Sequence, residues 1–449
     1  MNQGRWLLLP VETKAREFHA KLLLAAVAAE QGWQVLLGEQ NAMVRQLDHL
    51  PRGVYLDKSI SRTKTKHFRR LRSLGYRVVA WCEEGLVYRD TASYLHERID
   101  LDSLAEADCF FCWGGVQRRD ILSKAVGAEE KLVETGNPRF DLLRPGYRDL
   151  FAEEAGRLRR QHGEFILVNT NFARYNHFNG ENFLIDVLKQ RGTIKTAEQE
   201  QFFAAWRDFL GELFHGFAAV MPELARAFPD HKIILRPHPS ENHRRWAEVC
   251  AGIGRVEVAF EGNVLPWLLA GSVLIHNSCT TGLEAYLMDR PVVSYQPAVS
   301  ETYDSPLPNA ISRDALSAEA LIADVREALA GNTVDGGAQG RSIAADYYAS
   351  LDGTLAAERV VATLDRLPPA ADDDGSNFGR LASHLKEPAQ RLARRLLRPQ
   401  MAAYTQQKFP GIDLPEVQQA LAQLAGAANR FGGLQASRLS HRCYRIASS

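Results

Sequence analysis

Cysteine is scarce in this chain, six in 449 residues. Cys82, Cys109, Cys112, Cys250, Cys279 and Cys443 lie mostly inside apolar runs, which excludes a disulfide framework and suits buried thiols in a reducing cytoplasm. Cys109 and Cys112 form a CxxC, but "DCFFCWGG" has no second pair and opens no helix, so two core thiols on a strand are expected. Charge of one sign is also lacking: Lys plus Arg and Asp plus Glu stand at 54 each, so no global field selects nucleic acid. Long apolar runs are missing too. "LLLAAVAA" (22–29) falls well short of the roughly 20 residues that span a bilayer. "MNQGRWLLLP" has one basic residue and too short an apolar run for a signal peptide, so a soluble cytoplasmic protein is expected. No Asp-x-Asp sits at a strand end, and "DDD" (372–374) reads as a solvated run, so neither a metal nor another cofactor is expected.

What is present is an alternation. The length implies two to three domains, and 45% apolar residues is an ordinary globular composition. "RWLLLP" (5–10), a helix over 15–31 and "QVLLG" (34–38) make a strand, helix, strand unit. "GVYLD", "RVVAWCEEG", "CFFCWGG" and "KLVETGNPRFDLL" carry the pattern to about residue 143. It restarts with "EFILVNTNF" and continues through "HKIILRPHP", "VEVAF", "SVLIHNS" and "PVVSY". Such alternation predicts an α/β protein with two Rossmann-like doubly wound domains facing a cleft, ligands lying at the carboxyl ends of the strands. The expected boundaries are 1–150 for an acceptor-side domain, 151–366 for a nucleotide-sugar domain, 367–379 for a Pro, Asp and Gly-rich linker, and 380–449 for a helical extension. The basic stretch "RLASHLKEPAQRLARRLLRPQM" in that extension is read either as a solvated helix crossing the domains or as a peripheral anchor on an anionic membrane face.

Four stretches carry polar chemistry where a cleft is expected. "IILRPHP" ends a strand in Arg236 and His238, the histidine held between Pro237 and Pro239; a guanidinium fork and a ring N–H in fixed directions suit a phosphate. "HNSCTTG" offers Ser278, Thr280 and Thr281 at a helix start, where unpaired amides favour an anion, and ordinary capping is the plainer alternative. Glu284, one turn in, is placed to accept ribose hydroxyls. "VVAWCEEG" ends a strand in Glu83 and Glu84, of which only one is expected to face a reaction. "VNTNFARYNHFNG" adds Asn169, Asn171 and Arg174 as a polar substrate loop or a turn-rich connection.

Taken together, "EEG" (83–85), His238-Pro239 and "SCTT" (278–281) resemble three motifs of bacterial sialyltransferases and related capsule transferases. "TGNPRFD" (135–141), "RPHP" and "HNSCTTGLEAYLMDRPVVSY" resemble the surface carbohydrate biosynthesis family, akin to capsular transferases of 3-deoxy-manno-octulosonic acid (Kdo). Similar wording at the helix after "HNSCTTG" occurs in CDP-glycerol glycerophosphotransferases and UDP-N-acetylglucosamine 2-epimerases. The resemblance spans residues 5–365 in order and implies the two-domain glycosyltransferase fold called GT-B. It further implies that His238 binds the phosphate of a CMP-sugar with Ser278, Thr280 and Thr281, and that Glu84 activates the acceptor hydroxyl, Glu83 being the fallback. Both inverting and retaining outcomes stay open.

The expected function is transfer of Kdo or a related nonulosonic acid from a CMP-sugar to a glycan or lipid-linked glycan acceptor in capsule, lipopolysaccharide or exopolysaccharide synthesis. A glycerophosphotransferase or epimerase on the same scaffold is the enzymatic alternative. A non-catalytic nucleotide-sugar-binding scaffold of a polysaccharide assembly complex is the alternative of another class.

Overall fold

The structure, a computed structural model, describes residues 5–190, 192–332, 337–371, 406 and 409–449. Its chain folds into two compact units. The first comprises Met1–Leu86, Thr91–Leu150 and Ala345–Ser449, the second Val87–Asp90 and Phe151–Ala344.

In the first unit the apolar runs become β1 (Trp6–Val11), β2 (Gln34–Glu39), β3 (Val54–Asp57), β4 (Arg77–Trp81), β5 (Cys109–Cys112) and β6 (Leu132–Glu134), all mutually parallel. Helices cover both faces, so strand residues are buried whichever way they point, which is why the runs are continuous rather than alternating. Cys109 and Cys112 are buried thiols on β5, and all six cysteines are buried and free. The helix Lys14–Glu30 explains the "LLLAAVAA" run: Leu22 to Ala29 have no exposure. It lies against β1 and β2 on one side and the helices Pro138–Asp141 and Ala356–Leu364 on the other, and a helix packed all round is apolar all round.

The second unit holds β7 (Phe165–Asn169), β8 (Lys232–Arg236), β9 (Val256–Val258), β10 (Val273–His276), β11 (Val292–Tyr295) and β12 (Arg313–Ala315), parallel in the order β12-β11-β10-β7-β8-β9. This is the doubly wound dinucleotide-fold order. One face packs Ile166, Val168, Ile233, Leu235 and Ile275 on Phe214, Phe217, Val220 and Leu224 of the long helix Ala197–Ala227. That helix begins with a capping box, Thr196 accepting from the Gln199 amide at 3.3 Å while the Gln199 side chain reaches back to the Thr196 amide.

From Ala345 the chain returns to the first unit, so 345–366 does not belong with the second domain as the sequence suggested. The clamp is "TGNPRFD". Asp141, completely buried, accepts the Ala356 and Ala357 amides at 2.9 Å each and caps the helix Ala356–Leu364, while Tyr348 donates to the Asn137 carbonyl at 3.1 Å. Burial pushes the Asp141 carboxyl up to about 6 against the pull of those two amides.

The expected helical extension needs correction. The basic stretch lies outside the described residues, as does most of the linker. Beyond it Asp413 caps a helix, Leu414–Ala428, and then come β13 (Leu434–Ser440) and β14 (Cys443–Ser448). This hairpin joins the first sheet with β14 antiparallel to β2, giving β13-β14-β2-β1-β3-β4-β5-β6. Gly38 permits it: a Cβ there would meet the Arg442 carbonyl at 2.6 Å and the Cys443 sulfur at 2.8 Å. Among the described residues no helix is long and apolar enough to cross a membrane.

Candidate functional site

In open parallel sheets ligands bind beyond the strand carboxyl ends where strand order reverses. In the second sheet that point lies between β7 and β10, which end in Asn169 and His276 as register partners. In the first it lies between β1 and β3, which end near Glu12 and at Asp57.

In the second unit the answer to what shapes the loop after β8 is Glu241, which is wholly buried. Its Oε1 accepts from Thr170 Oγ1 at 2.9 Å, the Phe172 amide at 3.0 Å and the His238 amide at 3.1 Å. Its Oε2 accepts from the Trp246 indole at 2.7 Å and Asn176 Nδ2 at 3.4 Å. One carboxylate thus ties "RPHPSEN" to the Asn-rich loop after β7. Burial raises its proton affinity, and the surrounding donors oppose that. His238 Nδ1 accepts the Ser240 amide at 3.1 Å, which places the proton of the neutral ring on Nε2. The Nε2–H direction of His238 is thereby fixed.

Its neighbour Arg236, expected to join it at a phosphate, turns into the interior of the unit. Strand alternation sends its side chain under the helices, where it donates to the Gly262 carbonyl at 2.8 Å and stacks 5.1 Å from the Phe260 ring. Burial lowers its pKa to about 10, with Glu284 and Glu154 opposing. Glu284 is likewise wholly buried, and its charge acts on Arg236.

The hydroxyls of "SCTT" are also largely engaged within the protein. Ser278, in the left-handed region at φ 45°, donates to Asn309 Oδ1 at 2.9 Å, and Thr281 Oγ1 lies 2.6 Å from the Cys279 sulfur. The helix they begin, Thr280–Leu287, has no side-chain cap at Cys279. A helix start of this kind offers amides to an anion, although the Gly282 amide here donates to the Cys279 carbonyl at 3.0 Å. Gly282 seats the helix on His276: a Cβ would fall 2.5 Å from His276 Nε2, which lies 2.9 Å from Ser312 Oγ. Burial lowers the His276 pKa to about 3.

Asn169 is only 3% exposed, and neither its Oδ1 nor its Nδ2 has a hydrogen-bond partner. Buried amides seldom stay unsatisfied, and this one lies at the switch point. Asn171 contributes its amide to Asn277 Oδ1 at 2.8 Å, joining the β7 and β10 loops. Arg174 is spent on packing, its guanidinium 3.8 Å from the Trp206 ring centroid.

In the first unit the two glutamates divide. Glu84 is 48% exposed and ion-paired to Arg98. Glu83 keeps 17% exposure, accepts the Trp81 indole N–H at 2.8 Å and lies 3.7 Å from the Lys21 ammonium. Burial raises its pKa, with Lys21 and Arg139 pulling the other way. Raised proton affinity with a path to solvent is what a general base needs. Lys21, Glu17, Asp57 and Arg139 around it went unnoticed in the sequence, although two signals were there. Glu17 and Lys21 are an i,i+4 pair at the head of an otherwise apolar helix, and an acid stands at or just after the ends of β1, β2, β3 and β4 (Glu12, Glu39, Asp57, Glu83). Among the described residues no group of three or more His, Cys, Asp or Glu is placed to hold a metal ion.

No family model matches the chain, and no curated protein matches it. Among solved structures it is similar to the UDP-GlcNAc 2-epimerase from Neisseria meningitidis bound to UDP-GlcNAc, at 12% identity and TM-score 0.49 over 81% of this chain and 100% of that one. It is similar to the wall teichoic acid polymerase TagF soaked with CDPG, at 10% identity and TM-score 0.48 over 81% and 88%. It is similar also to the UDP-GlcNAc 2-epimerase from Methanocaldococcus jannaschii, at 13% identity and TM-score 0.48 over 80% and 99%.

Proposed function

We propose that the protein is a glycosyltransferase of surface polysaccharide synthesis that takes its sugar from a nucleotide donor bound by the second unit. The observation that carries this is Asn169: a buried amide with both polar atoms unsatisfied, at the switch point of a dinucleotide-type sheet, beside an uncapped helix start. His238 Nε2 donates to the leaving phosphate as the bond from the anomeric carbon to the phosphate oxygen breaks. A bond from that carbon to the acceptor oxygen forms, and the acceptor proton goes to Glu83. With Arg236 buried and its Nη2 on the Gly262 carbonyl, we assign the leaving phosphate to one histidine and helix amides, which suits a donor with one phosphate. The donor is accordingly a CMP-linked 2-keto sugar of the Kdo type.

The test is nucleotide release from CMP-Kdo, CDP-glycerol and UDP-GlcNAc by the wild type, His238→Ala and Glu83→Gln. CMP release that falls roughly 10²-fold or more in both variants is expected. Turnover of the UDP-sugar alone would overturn the proposal.

A further inference from the structure

Among the described residues of the first unit the Lys21 ammonium is the most enclosed positive charge, 1% exposed at the carboxyl edge of the sheet. It donates to the Pro10 carbonyl at 2.5 Å and to Glu17 Oε2 at 2.6 Å, and stands 3.7 Å from Glu83 Oε1 and 6.0 Å from the Trp81 ring centroid. Glu17 is itself anchored, its two oxygens accepting the Glu12 and Thr13 amides at 3.0 Å each. The series runs from backbone amides through one carboxylate and one ammonium to a second carboxylate. Each member fixes the next, and only the last keeps appreciable exposure.

A lysine placed there for stability alone would be a costly choice, since a buried pair seldom outperforms apolar packing. Enclosing a cation beside two carboxylates does something packing cannot: it sets the ionisation and direction of the exposed one. We propose that Lys21 is a positioning residue for Glu83, holding its carboxylate in place and favouring its anion so that it can take a proton. The proposal rests on the reading of Glu83 as the base. The other charges acting on the pair are Glu17 from the same helix as Lys21, Asp57 at the end of β3, and Arg139 from the helix Pro138–Asp141. Lys64, 2.8 Å from Asp57, keeps that acid balanced. Burial, and after it the Glu17 charge, disfavour the Glu83 anion; Lys21 is the largest influence opposing them, and Arg139 adds to it.

The test reads Glu83 directly and needs no substrate. The full-length protein is treated with a water-soluble carbodiimide and an amine over pH 4 to 9, and amide formation at Glu83 is followed by peptide mass spectrometry; coupling falls as the carboxyl ionises. In Lys21→Met the midpoint should rise by about one pH unit or more, and in Lys21→Arg, which keeps the charge, it should stay near the wild-type value. A midpoint in Lys21→Met equal to wild type overturns the proposal. Should Lys21→Met not fold, Lys21→Gln, which keeps an amide donor for the Pro10 carbonyl without the charge, carries the test: its midpoint should rise likewise, and an unchanged midpoint is again fatal. Transfer activity is measured separately, so a shifted midpoint in a protein whose Glu83→Gln variant transfers normally would sink the transferase reading and leave the Lys21 assignment standing.

Discussion

Replacing Glu241 by glutamine removes one charge and alters no volume, yet it should cost more stability than most core truncations. The two carboxylate oxygens accept five donors: Thr170 Oγ1, the Phe172 and His238 amides, the Trp246 indole and Asn176 Nδ2. A carboxamide has one oxygen. If its NH2 takes the Oε2 position it points a donor at the Trp246 N–H, 2.7 Å away. If it takes the Oε1 position it confronts three donors between 2.9 and 3.1 Å. The first arrangement is cheaper, and still loses one strong hydrogen bond to a charged acceptor, worth about 1.5–3 kcal/mol, while leaving a buried indole N–H unsatisfied at about 1–3 kcal/mol. A loss of about 3–5 kcal/mol follows for the second unit, a large part of a typical domain's total. Urea unfolding followed by tryptophan fluorescence, with thermal scans alongside, measures it. Glu248→Gln is the control, for Glu248 is 62% exposed and meets only Arg244 in an i,i+4 pair; its change should stay within about 0.5 kcal/mol. If the two variants unfold together, Glu241 does not organise this loop.

Gly282→Ala should destabilise the second unit by about 2–4 kcal/mol, because the added methyl drives the His276 ring off its hydrogen bond to Ser312; adding His276→Ala should recover part of that loss, and additive effects in the double variant would refute the clash. With its pKa lowered to about 3 by burial, His276 binds a proton more readily unfolded than folded. Its contribution to stability is therefore full above about pH 6.5 and lost as pH falls toward 3, about 2 kcal/mol of it by pH 5, so unfolding midpoints compared at pH 7 and pH 5 should diverge less in His276→Asn. Asp141→Ala leaves the Ala356 and Ala357 amides without their acceptor; proteolysis of the segment after Ala345 should quicken while the melting of a Glu241-dependent transition stays put.

Much of the architecture could be read from the residues. Apolar runs of four to six residues separated by helix-period segments gave both parallel sheets, because strands buried on two faces leave an unmistakable hydrophobic signature. The break near residue 150 was visible for the same reason. The closing hairpin was not: "LQASRLS" and "CYRIAS" are half polar, and an edge strand needs only one covered face. Nor was the return at Ala345, since a carboxylate capping a helix more than two hundred residues away leaves no local trace. At the site, the order of strands told where His238 would emerge. It could not tell that Arg236 turns beneath the helices, or which of two adjacent glutamates faces inward. Those are matters of side-chain direction set by neighbours on other elements, Lys21 above all.

The closing hairpin also has a bearing on how the chain comes off the ribosome. β2, begun at Gln34, finds one of its two neighbours only when Cys443–Ser448 has been made, whereas every strand of the second sheet lies between Phe165 and Ala315. Synthesis therefore delivers a finished second unit while the first still waits for its outer edge, with an apolar helix and a bare strand in need of shelter. Nascent chains arrested after residue 344 should present a protease-resistant second unit and a first unit that chaperones still hold.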